Sequence, residues 1–121
     1  MISGEFNQKG SLVFQVDLIA ADETDYPVKV ILDTGFTGWL IVNKQDAILL
    51  GWKQYSEPQT VQTANGLTTL NVFEGIVAID GEEFTIPVLA GSRVKDILLG
   101  VRWLKFKRLV VDFYAGVLTL D

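Results

Sequence analysis

Residues 28–42 read VKVILDTGFTGWLIV, and this stretch decides the fold class of the chain. An apolar, β-branched run on each side of a short polar segment is the pattern of two strands joined by a tight loop. The loop opens with Asp33, Thr34 and Gly35 at the end of the first strand. A carboxylate beside a core strand is costly unless it is hydrogen-bonded or paired, and Gly35 allows the chain to fold back so that an amide approaches it. We therefore expect an acidic side chain held in a loop at the edge of an apolar core.

The rest of the chain also shows the short apolar runs of a β-protein. Strands are predicted over residues 10–21, 28–32, 39–42, 97–100, 109–113 and 117–120. The polar residues 22–27 are expected to separate the first two strands. One short helix is predicted between Asn43, which can cap its first turn, and Gly51, and a second over residues 101–106. The pattern predicts an all-β fold, a small closed β-barrel with one or two short helices, in a single domain of residues 1–121.

Two β-hairpins are predicted between these helices. Residues 60–70 centre on an Asn-Gly pair at 65–66, and residues 75–86 centre on an Asp-Gly pair at 80–81. Both dipeptides suit two-residue turns, because the central positions of such a turn need positive φ angles. In the first hairpin the predicted cross-strand pairs are Val61 with Leu70 and Thr63 with Thr68.

Composition and charge exclude several kinds of chemistry. The 121 residues contain no cysteine and no histidine, which excludes Cys nucleophiles, Ser-His-Asp triads and the usual zinc and iron–sulfur ligands. We expect no metal and no cofactor. The formal net charge of -5 has the wrong sign for binding nucleic-acid phosphates. The chain has no basic start followed by an apolar run and no run of about eighteen apolar residues, so we expect no membrane association and a cytoplasmic location.

Residues 28–42, taken with a Leu-Leu-Gly run further along the chain, resemble the single-domain retropepsin-like aspartic proteases. In that family an Asp-Thr-Gly loop between apolar strands carries the catalytic carboxylate, here Asp33. An apolar-apolar-Gly strand supports the loop, and the supporting residues implied are Leu98, Leu99 and Gly100. Phe36 replaces the small residues common after this motif and cannot donate to the outer carboxylate oxygen. The resulting Asp-Thr-Gly-Phe motif is similar to that of a prokaryotic branch of the family.

The resemblance also implies a homodimer. Adding water to a peptide carbonyl needs a base and an acid, and two carboxyls that share one proton provide both. The chain carries a single Asp-Thr-Gly, so the second carboxyl must be the Asp33 of another copy. The resemblance places Thr34 and Gly35 in the active-site loop, with the Thr34 hydroxyl bonded across the two-fold axis. A bond from Thr34 to its own local backbone is the alternative.

The first hairpin takes the place of the family's flap, the β-hairpin that closes over a bound extended peptide. The resemblance implies that its tip, Thr63, Ala64, Asn65 and Gly66, contacts the main chain of the substrate. An ordinary exposed hairpin is the alternative. The implied activity is that of an aspartic endopeptidase acting on peptide or protein substrates.

Two other functions are compatible with this sequence. A non-catalytic peptide-binding or scaffold domain would keep the fold and the dimer and cleave nothing. A monomeric β-domain would use its Asp-Thr-Gly only as a turn. Three aromatic side chains are expected in the core or at an interface: Trp39, Trp52 and Trp103. Four basic side chains are expected to form a solvated face: Arg102, Lys105, Lys107 and Arg108.

Overall fold

A computed structural model gives the fold of residues 1–55, 57–63 and 66–121. These residues form twelve strands and two short helices. In chain order the strands are β1 (Ile2–Ser3), β2 (Glu5–Phe6), β3 (Leu12–Ile19), β4 (Asp25–Asp33), β5 (Leu40–Asn43), β6 (Lys53–Gln54), β7 (Gln59–Thr63), β8 (Gly66–Ile79), β9 (Glu82–Gly91), β10 (Leu98–Gly100), β11 (Leu109–Asp112) and β12 (Val117–Leu120). The helices are α1 (Lys44–Leu49) and a 3₁₀ helix (Val101–Lys105). The predicted fold class, all-β with one or two short helices, is confirmed.

Most of the strands join in one sheet that closes on itself. The strand order is β2-β3-β4-β10-β5-β9-β8-β6, with β7 paired to β8 alone. Strand β3 also pairs with β8, so the six strands from β3 to β8 along this order form a ring. One apolar cluster draws residues from every strand of the ring. Its largest fully buried side chains are Trp103, Phe14, Phe73, Leu40, Ile79 and Leu99.

Strand β4 begins earlier than the sequence predicts. Residues 22–27 were expected to separate two strands, but Asp25, Tyr26 and Pro27 belong to β4 and pair with β3. Pro27 lies opposite Asp17. All three β4 residues are exposed. This end of the strand therefore lacks the apolar alternation that a sequence pattern detects, and its pairing with β3 specifies it.

Helix α1 has the predicted cap. The Oδ1 atom of Asn43 accepts a hydrogen bond from the Gln45 N–H at 2.8 Å, and the Nδ2 atom of Asn43 donates to the Val94 carbonyl at 3.0 Å. Gly51, with φ of 75°, follows the C-cap, where a left-handed conformation favours glycine. The bond to Val94 also ties the start of this helix to the segment between β9 and β10.

The hairpin at residues 80–81 forms as predicted. Ile79 pairs with Glu82 across a turn whose central residues, Asp80 and Gly81, have φ angles of 54° and 79°. Strand β9 then continues to Gly91, beyond the predicted hairpin, and its second half runs parallel to β5. This parallel pairing joins two segments that are distant in the chain, so it leaves no local signal in the sequence.

The predicted register of the first hairpin is wrong by two residues. Val61 pairs with Thr68 instead of Leu70, and Thr63 pairs with Gly66 instead of Thr68. A shift of two residues keeps every side chain on its own face, because side chains in a strand alternate with a period of two. The apolar alternation therefore cannot distinguish the two registers.

A second, three-stranded sheet has the order β1-β12-β11. The predicted strands β11 and β12 are observed and pair as a hairpin, and the Oδ1 atom of Asp112 accepts from the Ala115 N–H at 3.0 Å within its turn. Strands β1, β2 and β6 have two residues each and were not predicted, because so short a strand shows no periodicity. Within the described ranges, no helix is long and apolar enough to cross a membrane.

Candidate active site

The Asp33 loop lies where three strands meet. Asp33 is the last residue of β4, and the chain returns as β5 at Leu40. Strand β10 lies between these two strands: it runs parallel to β4, with Gly100 opposite Asp33, and antiparallel to β5, with Leu99 opposite Leu40. The residues predicted to support the loop, Leu98, Leu99 and Gly100, therefore form the strand that separates its two sides.

The Asp33 carboxylate is exposed and is held at one oxygen. Its Oδ1 atom accepts a hydrogen bond from the Gly35 N–H at 2.9 Å, and the Asp33 carbonyl accepts from the Phe36 N–H at 3.1 Å. This is the predicted approach of an amide to the carboxylate. Among the hydrogen bonds of the described residues, none reaches the Oδ2 atom. The loop thus orients the carboxylate through its Oδ1 atom.

Gly100 is packed against the loop more closely than any side chain would allow. Its N–H donates to the Trp39 carbonyl at 3.0 Å, and the next N–H, of Val101, donates to the Phe36 carbonyl at 2.8 Å. A Cβ atom at Gly100 would lie 1.8 Å from the carbonyl oxygen of Gly38, which belongs to the backbone. The end of β10 and the Asp33 loop are therefore in direct contact through their backbones, and this contact fixes the position of the loop.

Phe36 and Gly38 form a contact that the sequence analysis did not anticipate. A Cβ atom at Gly38 would lie 2.7 Å from the Cζ atom of the Phe36 ring, so the ring occupies the space that a side chain at Gly38 would need. The signal was present as a glycine two residues after an aromatic residue in a short loop. Phe36 therefore shapes the loop by packing.

Two of the three tryptophans are confirmed as core residues. Trp103 is fully buried, and its Nε1 atom donates to the Trp39 carbonyl at 2.7 Å. Trp52 is also buried, and its Nε1 atom donates to the Ile19 carbonyl at 2.8 Å. Trp39 is half-buried and meets the Trp103 ring edge-on, with centroids 5.0 Å apart. The loop therefore packs on the buried Trp103 side chain, which also donates a hydrogen bond to the Trp39 carbonyl group of the loop.

Thr34 is exposed beside Asp33. Within the described part of the chain its hydroxyl has no hydrogen-bond partner, so the alternative of a bond to its own backbone is not observed. The predicted bond across a two-fold axis would need a second chain and stays a prediction.

The predicted flap is an arm of two strands. Strands β7 and β8 pair with each other, and Thr63 lies opposite Gly66 at the end of the ladder. The other two predicted tip residues, Ala64 and Asn65, lie outside the described residues. Leu67, next to Gly66, is 74% exposed. The contact of this arm with a substrate stays a prediction.

At the base of the arm, a hydrogen bond between side chains joins strand β8 to the residue that follows β6. The Tyr55 hydroxyl donates to the Oε2 atom of Glu74 at 3.0 Å. This bond raises the pKa of Tyr55 above its ordinary value of 10.0, because ionisation would remove the donated proton and place a second negative charge beside the carboxylate.

Across residues 1–55, 57–63 and 66–121, no three acidic side chains come together in a group that could hold a metal ion.

Comparison with known proteins gives a match at the level of structure. No protein-family profile matches the chain, and no curated protein matches it. The crystal structure of a retropepsin-like aspartic protease from Rickettsia conorii aligns with a TM-score of 0.64, over 99% of this chain and 88% of the other, at 23% sequence identity. The chain has a retropepsin-like fold.

Two viral structures support the same fold. The EIAV protease in complex with the inhibitor HBY-793 aligns with a TM-score of 0.65, over 88% of this chain and 98% of the other, at 17% identity. The solution structure of the simian foamy virus (mac) protease aligns with a TM-score of 0.51, over 80% of this chain and 99% of the other, at 22% identity. The predicted retropepsin-like fold is confirmed, and the roles of individual residues have to be argued from the site itself.

Proposed function

We propose that this protein is an aspartic endopeptidase that acts as a symmetric homodimer. The observation that supports the proposal most directly is the Asp33 carboxylate, which is exposed and anchored at one oxygen by the Gly35 N–H in a retropepsin-like fold. Asp22 accepts the same kind of bond from the Thr24 N–H in an ordinary turn, so the support behind the Asp33 loop is what sets this carboxylate apart. Here the backbone contacts at Gly100 and the buried Trp103 hold the loop from behind.

Hydrolysis by this site needs two chains. Water adds to the peptide carbonyl when one group takes its proton and another protonates the carbonyl oxygen. Two carboxyls held about 3 Å apart share one proton and can exchange these roles. The sequence has one Asp-Thr-Gly motif, so the partner of Asp33 is the same residue of a second copy, and the lytic water lies between them.

The residues around Asp33 have separate roles in this proposal. The Gly35 amide orients the carboxylate through its Oδ1 atom, while the Thr34 hydroxyl bonds to the other chain across the axis. Phe36 supplies no donor to the outer oxygen, so its contribution is the packing against Gly38. The substrate is a peptide in extended form, held between the two Asp33 loops and the β7–β8 arms by main-chain hydrogen bonds.

The substitution Asp33→Asn tests the proposal. It should leave the unfolding midpoint close to that of the parent protein and lower the cleavage of denatured polypeptides by at least about 1000-fold, because an amide cannot exchange the roles of acid and base. Asp96→Asn is the matched control, since Asp96 is also exposed but precedes β10 and lies outside the loop. Cleavage by Asp33→Asn at the parent rate, in a folded protein, would refute the enzyme.

A mixing experiment tests the dimer separately. When equal amounts of parent protein and Asp33→Asn exchange subunits at random, about one quarter of the dimers carry two Asp33 residues. Activity should therefore fall to about half of what the parent subunits show alone. Two results together would contradict an active site shared by two subunits: sedimentation shows a monomer at the concentration of the activity assay, and the mixture keeps the full activity of its parent subunits. A dimer that binds peptides and cleaves none would instead be the scaffold domain that the sequence left open.

A further inference from the structure

A basic cavity lies beside the Asp33 loop. It has a volume of about 400 Å³, and its lining residues are Thr37, Val101, Arg102, Leu104 and Lys105. Thr37 is four residues after Asp33, so their Cα atoms are no more than about 15 Å apart. The other lining residues belong to the 3₁₀ helix, which the Val101–Phe36 hydrogen bond joins to the same loop. The cavity is therefore fixed in position relative to the carboxylate.

The structure divides the basic group that the sequence assigned to a solvated face. Arg102 and Lys105 line the cavity, whereas Lys107 lies over the rings of Phe84 and Phe106, at 5.4 and 5.9 Å from the centroids. The guanidinium of Arg102 is itself placed 5.6 Å from the centroid of the Trp39 ring. Arg102 and Lys105 are therefore separated from Lys107, and only these two line the cavity beside the loop.

In the described part of the chain, the two cavity cations have no acidic partner. Among the described residues, the ion pairs involve Lys29 and the amino terminus, and neither Arg102 nor Lys105 has a carboxylate within 4.0 Å. Among the described residues only Lys29 of the Lys and Arg side chains has an ion pair, so what distinguishes Arg102 and Lys105 is that both line one cavity beside the loop. The apolar side chains of Val101 and Leu104 complete the wall and suit the methylene groups of an acidic side chain.

We propose that this cavity is a specificity subsite that takes a Glu or Asp side chain of the peptide substrate, with Arg102 and Lys105 as the groups that recognise its carboxylate. The inference rests on the proposed endopeptidase function. An extended peptide rises about 3.3 Å per residue, so the acidic residue lies within about four positions of the bond that is cleaved. Each exposed ion pair contributes little, and the subsite produces a preference rather than an absolute requirement.

Cleavage-site profiling tests the position of the subsite. The probe is a mixture of peptides from a tryptic digest of denatured proteins, incubated with the parent dimer and with Asp33→Asn, and the new ends are read by mass spectrometry. Glu and Asp should be enriched at one position within four residues of the cleaved bond. Cleavage that depends on Asp33 without any such enrichment overturns the subsite and leaves the proposed function intact.

Matched peptides then test the residues. The best cleaved sequence is made with Glu and with Gln at the enriched position, and kcat/KM should favour Glu by about threefold to tenfold, mainly through KM. The preference should shrink in 1 M salt, because the ion pairs are exposed. Lys105→Gln and Arg102→Gln should each reduce it, while Arg102→Lys should restore most of it. Lys107→Gln is the control, because that cation belongs to the same basic segment but lies over the Phe84 ring and does not line the cavity, and it should leave the ratio unchanged.

Charge reversal gives the sharpest result. Lys105→Glu should lower the preference for Glu and raise kcat/KM for a peptide with Lys at that position. If the Lys105 and Arg102 variants change the dimer dissociation constant and leave the Glu-to-Gln ratio unchanged, the cavity holds a second copy of the chain and the proposal is wrong. If nothing is cleaved, extended peptides that carry either Glu or Gln at each of the four positions on both sides of a central residue are titrated against the parent protein: stronger binding of a Glu peptide that disappears in Lys105→Gln supports the subsite, and equal binding or no binding refutes it.

Discussion

The Asp33 loop and the β7–β8 arm are both proposed to contact the substrate, and they are held in different ways. The loop is crossed from behind by β10, where a Cβ atom at Gly100 would lie 1.8 Å from a backbone oxygen. Among the described residues, strand β7 of the arm pairs with β8 alone, and Leu67, Thr68 and Thr69 of β8 are exposed. Close backbone packing fixes the loop relative to the core, whereas a two-stranded ladder fixes only which residues of the arm pair with each other. We therefore expect substitutions in the loop to destabilise the protein far more than substitutions in the arm.

The largest expected effect is at Gly100. Gly100→Ala places a methyl group on the Gly38 backbone, which cannot move away without opening the loop, so we expect a loss of more than about 4 kcal/mol in the free energy of unfolding. In Gly66→Ala, in the arm, the added Cβ atom has no other atom within 4 Å, but the residue must keep a φ of 106°. This substitution should lower the free energy of unfolding by about 1–2 kcal/mol. Urea denaturation of both variants measures the difference. Equal losses would remove the contrast between the two regions.

A smaller effect is expected at the two buried tryptophans. Trp103→Leu and Trp52→Leu each remove a buried ring and an Nε1 hydrogen bond to a carbonyl, so both should lower stability by about 3 kcal/mol. Only Trp103 bonds to the Asp33 loop, at Trp39. Trp103→Leu should therefore also lower kcat at a temperature where both variants are fully folded. If the two variants lose the same fraction of kcat, Trp103 is a core residue without a positioning role.

The register of the arm can be tested by cross-linking. Thr60 and Thr69 lie directly opposite each other and are both exposed, and such positions have Cα atoms about 4.5–5.5 Å apart, within reach of a disulfide. Because the chain has no cysteine, Thr60→Cys with Thr69→Cys should oxidise to a single intramolecular bridge. The register read from the sequence would instead pair Thr60 with Asn71. Faster bridging in Thr60→Cys with Asn71→Cys would show that the arm adopts that register.

The smallest effect concerns the base of the arm. Tyr55→Phe removes the hydrogen bond to Glu74 and should lower the unfolding midpoint only slightly, because both groups are exposed. Since the folded pKa of Tyr55 is raised above 10.0, the stability that this bond contributes is complete below pH 10 and is lost as the pH rises through the folded pKa. The difference between the parent protein and Tyr55→Phe should therefore narrow above pH 10. A difference that is independent of pH would show that the hydroxyl is not bonded to Glu74 in solution.

Local chemistry predicted the features that depend on a few neighbouring residues. The Asn43 cap, the turn at residues 80–81 and the amide of Gly35 against the Asp33 carboxylate all involve groups no more than two residues apart. Each follows from the conformational preferences of Asn, Asp and Gly. The start of β4 at Asp25 and the register of the arm were missed, because both depend on pairing with another strand.

The candidate site divides in the same way. From the sequence one could name Asp33 and the Leu-Leu-Gly strand, but the reason for Gly100, its contact with Gly38 across a gap of 62 residues, was visible only in the structure. The cavity of Arg102 and Lys105 was also missed, because the sequence does not show which distant residues pack next to a charged side chain on a helix. Its only signal was four basic residues within seven positions of an acidic chain.

The amino-acid sequence alone determined that the chain is built from short strands, that one carboxylate stands at the end of an apolar strand, and that neither cysteine nor histidine can take part in its chemistry. The tertiary structure alone decided that β10 lies between β4 and β5 and that the arm pairs two residues away from the predicted register. It also decided that two cationic side chains line one cavity beside the loop. The physical reason is range. Caps and turns are decided by the torsion angles and hydrogen bonds of adjacent residues, whereas the order of strands, the close approach of backbones and the grouping of charges are decided by packing between segments that are far apart in the chain.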